Sequence, residues 1–138
     1  GVNRFALEHG KAAGVLIPVA GRSCIERVIT TLRASAVISG GVIVGPAAAV
    51  VETDAVMQSL IGTGDFHWIE PAHGPSASAL SAVDQLGRYP ALITVGDHAL
   101  LEPQVVAGMA VGRPDPSARV NSFVPERLPL AEFVQWRE

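Results

Sequence analysis

A chain of 138 residues carrying a net charge of −3 is long enough for one domain with its own core, and its scattered basic residues, nine Arg and one Lys, argue against a nucleic-acid-binding surface. Hydrophobic residues reach 49 % and charged ones only 17 %, yet Gly, Pro, Arg or Asp interrupts every apolar run before it reaches the length of a membrane span. The lone Cys24 excludes an internal disulfide and, with an amino end unlike a signal peptide, points to a soluble cytoplasmic protein.

Taken in order, residues 4–13 suit one short helix with Asn3 as its cap. Residues 15–19 read as a short strand that Pro18 confines to an edge or a strand end. After a turn at residues 20–23, Ser23 and Glu26 have the spacing of a capping box. The helix they open runs to about Ser35, with Ile25, Val28, Ile29 and Leu32 on its inner face.

Residues 42–44 form a second strand, and an Ala-rich helix follows over residues 47–60. Residues 66–69 make a third strand, with a loop at 70–75 and a helix over 76–86 that Gly87 stops. The continuous apolar run at residues 91–95, ended by Gly96-Asp97-His98, reads as a central strand buried on both faces. Strand-helix units in succession imply parallel strands, so the expected class is α/β, a three-layer α/β/α sandwich with a mostly parallel central sheet. Beyond Pro103, residues 104–109 suit one or two helical turns, 110–112 a strand fragment and 130–136 a late strand.

Asp97 follows a predicted strand, at the sheet edge where open α/β folds bind ligands. A carboxylate there can hold a divalent metal, and Mg²⁺ favours one or two carboxylates with substrate phosphates. The competing role for Asp97 is to turn the chain or cap the next helix. Gly74-Pro75-Ser76 opens a helix whose first amides are free donors for a phosphate or ribose oxygen, although Pro is equally at home in an ordinary first turn. His9, His67, His73 and His98 lack metal-ligand spacing, and Cys24, Trp68 and Trp136 read as packing residues.

Pro18-Val19-Ala20-Gly21-Arg22 with Ile25-Glu26-Arg27-Val28, then Val42-Ile43-Val44-Gly45, Gly74-Pro75-Ser76 and Thr94-Val95-Gly96-Asp97-His98-Ala99-Leu100, occur in that order. Together they resemble the MobA-like nucleotidyltransferases, which have the glycosyltransferase-A type fold. The resemblance implies that Asp97 holds Mg²⁺ between the nucleotide phosphates and that Gly74, Pro75 and Ser76 meet the base and ribose. It also implies a phosphate-pairing Lys near Gly14, for which this chain offers Lys11, three residues earlier. The family's first strand and Gly-rich phosphate loop have no counterpart ahead of residue 1, so the expected domain, residues 1–138, is nucleotidyltransferase-like without that segment.

The expected activity is transfer of a nucleoside monophosphate from an NTP to a small phosphorylated acceptor, with Mg²⁺ as cofactor and pyrophosphate released. A non-catalytic nucleotide- or partner-binding module on the same fold is the alternative. A glycosyltransferase would want an Asp-x-Asp pair where this chain has Asp97-His98-Ala99. Neither a nucleic acid nor a membrane is an expected partner, and the apolar composition suits a homo-oligomer.

Overall fold

Ser23 begins the element on which the core is assembled. In the computed structural model, which describes residues 4–107, helix α2 (Cys24–Ala34) opens with the expected capping box. The Ser23 hydroxyl accepts from the Glu26 amide at 3.3 Å, and the Glu26 carboxylate accepts from the Ser23 amide at 2.8 Å and its hydroxyl at 2.7 Å. Two orphan donors of the helix start are thus satisfied. The predicted inner face is the buried one: Ile25, Val28, Ile29 and Leu32 join Ile43, Met57, Leu60 and Phe66 in one core cluster.

Before α2 the chain differs from expectation. Helix α1 (Arg4–Glu8) is shorter than residues 4–13, because the chain turns at Gly10 with φ 65°. Residues 15–19 do not form one strand. Gly14–Leu16 is a 3-10 turn, and β1 (Pro18–Val19) pairs antiparallel with β2 (Arg22–Ser23). Ala20 and Gly21 join them with φ of 48° and 82°, so both central residues of this tight hairpin have positive φ. The Arg27 guanidinium supports the turn by donating to the Val19 and Ala20 carbonyls at 2.7 and 3.2 Å.

Strand β3 (Gly41–Val44) pairs in parallel with β4 (Phe66–Ile69), Ile43 lying opposite Trp68. The connection is helical, as parallel pairing requires, but it holds two helices rather than one. Helix α3 (Ala48–Thr53) ends at Asp54, whose carboxylate accepts from the Val56 and Met57 amides, both at 3.0 Å, and starts α4 (Ala55–Gly62). An Asp side chain competes for nearby backbone donors, so it starts a helix better than it continues one. The Arg33 guanidinium fastens α2 to the entry of β4 through Asp65, at 2.7 and 2.8 Å, and lies over the Phe66 ring.

Helix α5 (Pro75–Leu86) follows β4, and residues 91–95 follow α5. Those five residues are not a strand buried on both faces. Only Ala91 makes an isolated bridge; it is buried, but Ile93 is 45 % and Val95 62 % exposed. An apolar run becomes a buried strand only where neighbours bond both backbone edges and helices cover both faces, and this run has no ladder among the described residues. The three-layer sandwich with a mostly parallel central sheet is accordingly met only in part. Helices and strands alternate, but the described sheets are two-stranded. Helix α6 (Pro103–Ala107) overlaps the helical turns expected over residues 104–109, of which 108 and 109 lie outside the described residues, and the Thr31 hydroxyl donates to the Leu101 carbonyl just before it, at 3.0 Å. Residues 110–112 and 130–136, with Trp136, lie outside the described residues. No helix among the described residues is long and apolar enough to cross a membrane.

Candidate functional site

Because β3 and β4 are parallel, the segments leaving their carboxyl ends emerge at the same edge. After β3, Gly45 donates to the Ile69 carbonyl at 3.4 Å, and the Trp68 indole N–H donates to the Pro46 carbonyl at 2.9 Å. After β4, the Glu70 carboxylate accepts from the Ala48 amide at 3.2 Å. That bond caps α3, for which Ala47 supplies no side chain. The first amide of α3 is therefore already taken by a carboxylate.

The start of α5 is built differently. Gly74 is its N-cap with φ 103°, a conformation that glycine adopts without steric cost. Pro75 occupies the first turn. The Ser78 hydroxyl accepts from the Ala72 amide at 3.0 Å, while the Gly74 amide bonds the Ala72 carbonyl at 2.8 Å and the Ser78 amide the Gly74 carbonyl at 3.0 Å. This lattice fixes the loop and leaves the Ser76 and Ala77 amides without partners among the described residues. Gly74, Pro75 and Ser76 are all exposed.

A cleft of about 1310 Å³ lies between α2, β3, α5 and residues 91–96. Gly74, Pro75 and Ser76 line it together with Gly45 and Gly96. Asp97 itself is exposed and comes directly after Gly96. Its carbonyl accepts from the Ala99 amide at 2.8 Å, and His98 donates to the Val95 carbonyl at 3.3 Å, so the residue sits in a tight turn. Gly96 seats that turn, since a Cβ on it would lie 3.1 Å from Val15 Cγ1. Gly96 thereby packs against the Gly14–Leu16 turn.

Lys11 is half-buried, and Gly14, three residues on, lines the cleft, whereas Lys11 does not. Gly74, Pro75, Ser76 and Gly96 thus line one cleft, whereas neither Asp97 nor Lys11 is among its lining residues, and Asp97 adjoins it only through Gly96. Asp65 also lines the cleft, and the Arg33 guanidinium holds its carboxyl far below the ordinary range. Ser78, Gly96 and Glu70 are the residues that sequence reasoning missed. A second Ser in the first helical turn was a visible signal for Ser78, but the close approach at Gly96 exists only in three dimensions.

Among the described residues no three His, Cys, Asp or Glu side chains are grouped to hold a metal ion. Cys24 is buried, in keeping with a packing role. Comparison with curated proteins and with solved structures gave no match. The family model of the MobA-like NTP transferase domain matches residues 11–127, from before the hairpin to beyond the Asp97 turn, and this chain belongs to that family.

Proposed function

We propose that this chain is a Mg²⁺-dependent nucleotidyltransferase that joins a nucleoside monophosphate from an NTP to a phosphorylated acceptor. The observation that carries the proposal is a cleft lined by Gly74, Pro75, Ser76 and Gly96, the last of them next to Asp97 in sequence, in a chain of this family. In the proposed reaction a phosphate oxygen of the acceptor bonds the α-phosphorus. The bond from that phosphorus to the bridging oxygen breaks, and pyrophosphate leaves with its electron pair. No side-chain nucleophile is required, because positioning and charge neutralisation supply the rate.

The donor set suits Mg²⁺ with a nucleotide rather than a metal held by protein alone. One exposed carboxylate, Asp97, fits an ion that keeps waters and takes its remaining oxygens from phosphates. When bound, Mg²⁺ supplies Lewis-acid neutralisation of phosphate charge. The free Ser76 and Ala77 amides would receive a ribose or phosphate oxygen. The positions of Lys11 and Asp97 outside the cleft lining favour the second reading, a non-catalytic nucleotide- or partner-binding module on the same fold.

Calorimetric titration of CTP, GTP, ATP and UTP, with and without Mg²⁺, tests the site on this chain and on Asp97→Ala. The expected result is Mg²⁺-dependent binding of one nucleotide that the substitution abolishes. Binding that survives in Asp97→Ala without metal dependence, with no pyrophosphate released, would establish the module. No binding of any nucleotide would defeat the nucleotidyltransferase reading and leave the partner-binding module.

A further inference from the structure

The loop that leads to Gly74, Pro75 and Ser76 is held at both ends, by different means. Downstream, the Ser78 hydroxyl of α5 accepts from the Ala72 amide at 3.0 Å. Upstream, residues 70 and 71 rest on the turn that leaves β3. The Glu70 carboxylate accepts from the Ala48 amide at 3.2 Å, and Pro71 lies against Gly45, where an added Cβ would stand 4.0 Å from the proline ring. That turn is itself tied to β4 by two further bonds. The Trp68 indole N–H donates to the Pro46 carbonyl at 2.9 Å and the Gly45 amide to the Ile69 carbonyl at 3.4 Å.

Neither Glu70 nor Trp68 lines the cleft, so any part they play in binding is played through other residues. A short helix needs only a local Ser, Thr, Asp or Asn as its cap, and Asp54 serves α4 in that way. At α3 the position is Ala47, which makes no side-chain bond, and the carboxylate comes instead from a residue 22 positions further on. The indole bond spans the same 22 positions. A remote cap does what a local one cannot, because it fixes two segments against each other: the start of α3 and the first residue after β4 move as one. Only Ala72 and His73 separate Pro71 from Gly74, and Ala72 is held by Ser78. A shift at Glu70 is therefore passed on to the Gly74 turn rather than absorbed.

We propose that Glu70 and Trp68 are positioning residues for the nucleotide loop: they lock the turn at residues 45–48 to the end of β4 and thereby set where the backbone of residues 74–76 stands. The proposal rests on the nucleotide reading for its ligand, whereas the effect on the backbone rests on the bonds alone. Glu70 acts through its acceptor oxygen and not through its charge, since a carboxylate close to a triphosphate would repel it. Trp68 acts through its N–H, its ring being packed on the core.

The test uses the full 138-residue chain and its Glu70→Ala, Glu70→Gln, Trp68→Phe and Asp54→Ala variants. Amide NMR is recorded without ligand, and calorimetry with whichever of CTP, GTP, ATP and UTP the unsubstituted chain binds in the presence of Mg²⁺. Glu70→Ala should move the Ser76 and Ala77 amide resonances, speed exchange of the Ala48 amide by about tenfold and weaken nucleotide binding by about fivefold, the worth of one hydrogen bond. Glu70→Gln, whose side-chain oxygen still accepts from Ala48, should restore the resonances and bring binding to within about twofold. Trp68→Phe keeps a ring but no donor, and should move the same resonances while weakening binding less. Asp54→Ala removes the neighbouring cap of α4; it should lower the urea midpoint and leave the loop resonances and the binding unchanged. A merely structural role for Glu70 would give Glu70→Ala that same profile. The proposal fails if Glu70→Ala leaves the Ser76 and Ala77 resonances in place, or if Glu70→Gln does not restore them. It also fails if both Glu70 variants bind nucleotide more tightly, which would make Glu70 a repelling charge. Absence of nucleotide binding by the unsubstituted chain would defeat the nucleotide reading alone, and the resonances would then decide whether Glu70 and Trp68 set the loop.

Discussion

Helices α2 and α5 are nearly equal in length, 11 and 12 residues, yet α2 buries five side chains and α5 none. Both carry an apolar stripe. The difference is what lies beneath: α2 rests on Ile43, Met57, Leu60 and Phe66, whereas α5 borders the cleft. Most helix stability in proteins comes from an amphipathic face packed on its surroundings, not from intrinsic propensity. The comparison teaches that the same sequence pattern earns different stabilisation according to whether the layer below it is closed.

The largest effect expected from this contrast is on core truncation. Ile29→Ala, at a site 4 % exposed in α2, should cost about 3 kcal/mol, from lost transfer energy and the cavity left behind. Val83→Ala in α5 should cost no more than about 1 kcal/mol, because the side chain is only half-buried and leaves no closed cavity. Urea unfolding of the two variants measures both. Equal losses would break the comparison.

The two helix starts give the next contrast. Ser23→Ala removes the hydroxyl half of a reciprocal cap and should cost about 1 kcal/mol, whereas α5 has no side-chain cap to lose. The capping bonds from Ser23 also hold the Glu26 carboxyl below its ordinary range. A carboxyl whose folded pKa is depressed stabilises fully above its unfolded value, about 4.3, and the contribution disappears as pH falls through the lower folded value. Asp65, held down by Arg33, acts with the same sign. Urea midpoints should therefore fall below about pH 4, and the Ser23→Ala penalty should shrink there. A penalty that stays constant with pH would show that Glu26 contributes nothing to the cap.

What was legible in the sequence follows the same division. The Ser23–Glu26 box and the Ile25, Val28, Ile29 and Leu32 face depend on contacts within one helix and its immediate partners, and they were read correctly. Strands 42–44 and 66–69 were recognised from apolar runs between glycines and polar turns. The break at Asp54 was written in the chain but masked by the Ala-rich run around it. Residues 91–95 failed for a physical reason: an apolar run states that a strand could be buried, not that neighbouring strands stand beside it. At the candidate site, Asp97 and Gly74-Pro75-Ser76 were visible as residue types next to element ends. How each turn is held was not, because Gly96 seats against Val15 and Ser78 fixes the loop, contacts between segments far apart in sequence or mediated by a hydroxyl no motif marks.

The smallest expected effect is the sharpest control on the outer face of α5. Leu80 is 64 % exposed and does not line the cleft, so Leu80→Gln should change stability by less than about 0.5 kcal/mol. Glutamine and leucine have similar helix propensities, which removes the backbone from the comparison. The Val83 and Leu80 positions then separate two sources of stabilisation on one helix. If α5 lacks burial because it borders the open cleft, Val83→Ala should cost more than Leu80→Gln, and both should stay well below Ile29→Ala. A Leu80→Gln loss above about 1 kcal/mol, beyond the usual range for a surface substitution, would instead place a packed neighbour on the outer face. The exposure of α5 would then have to be explained by that second surface rather than by the cleft.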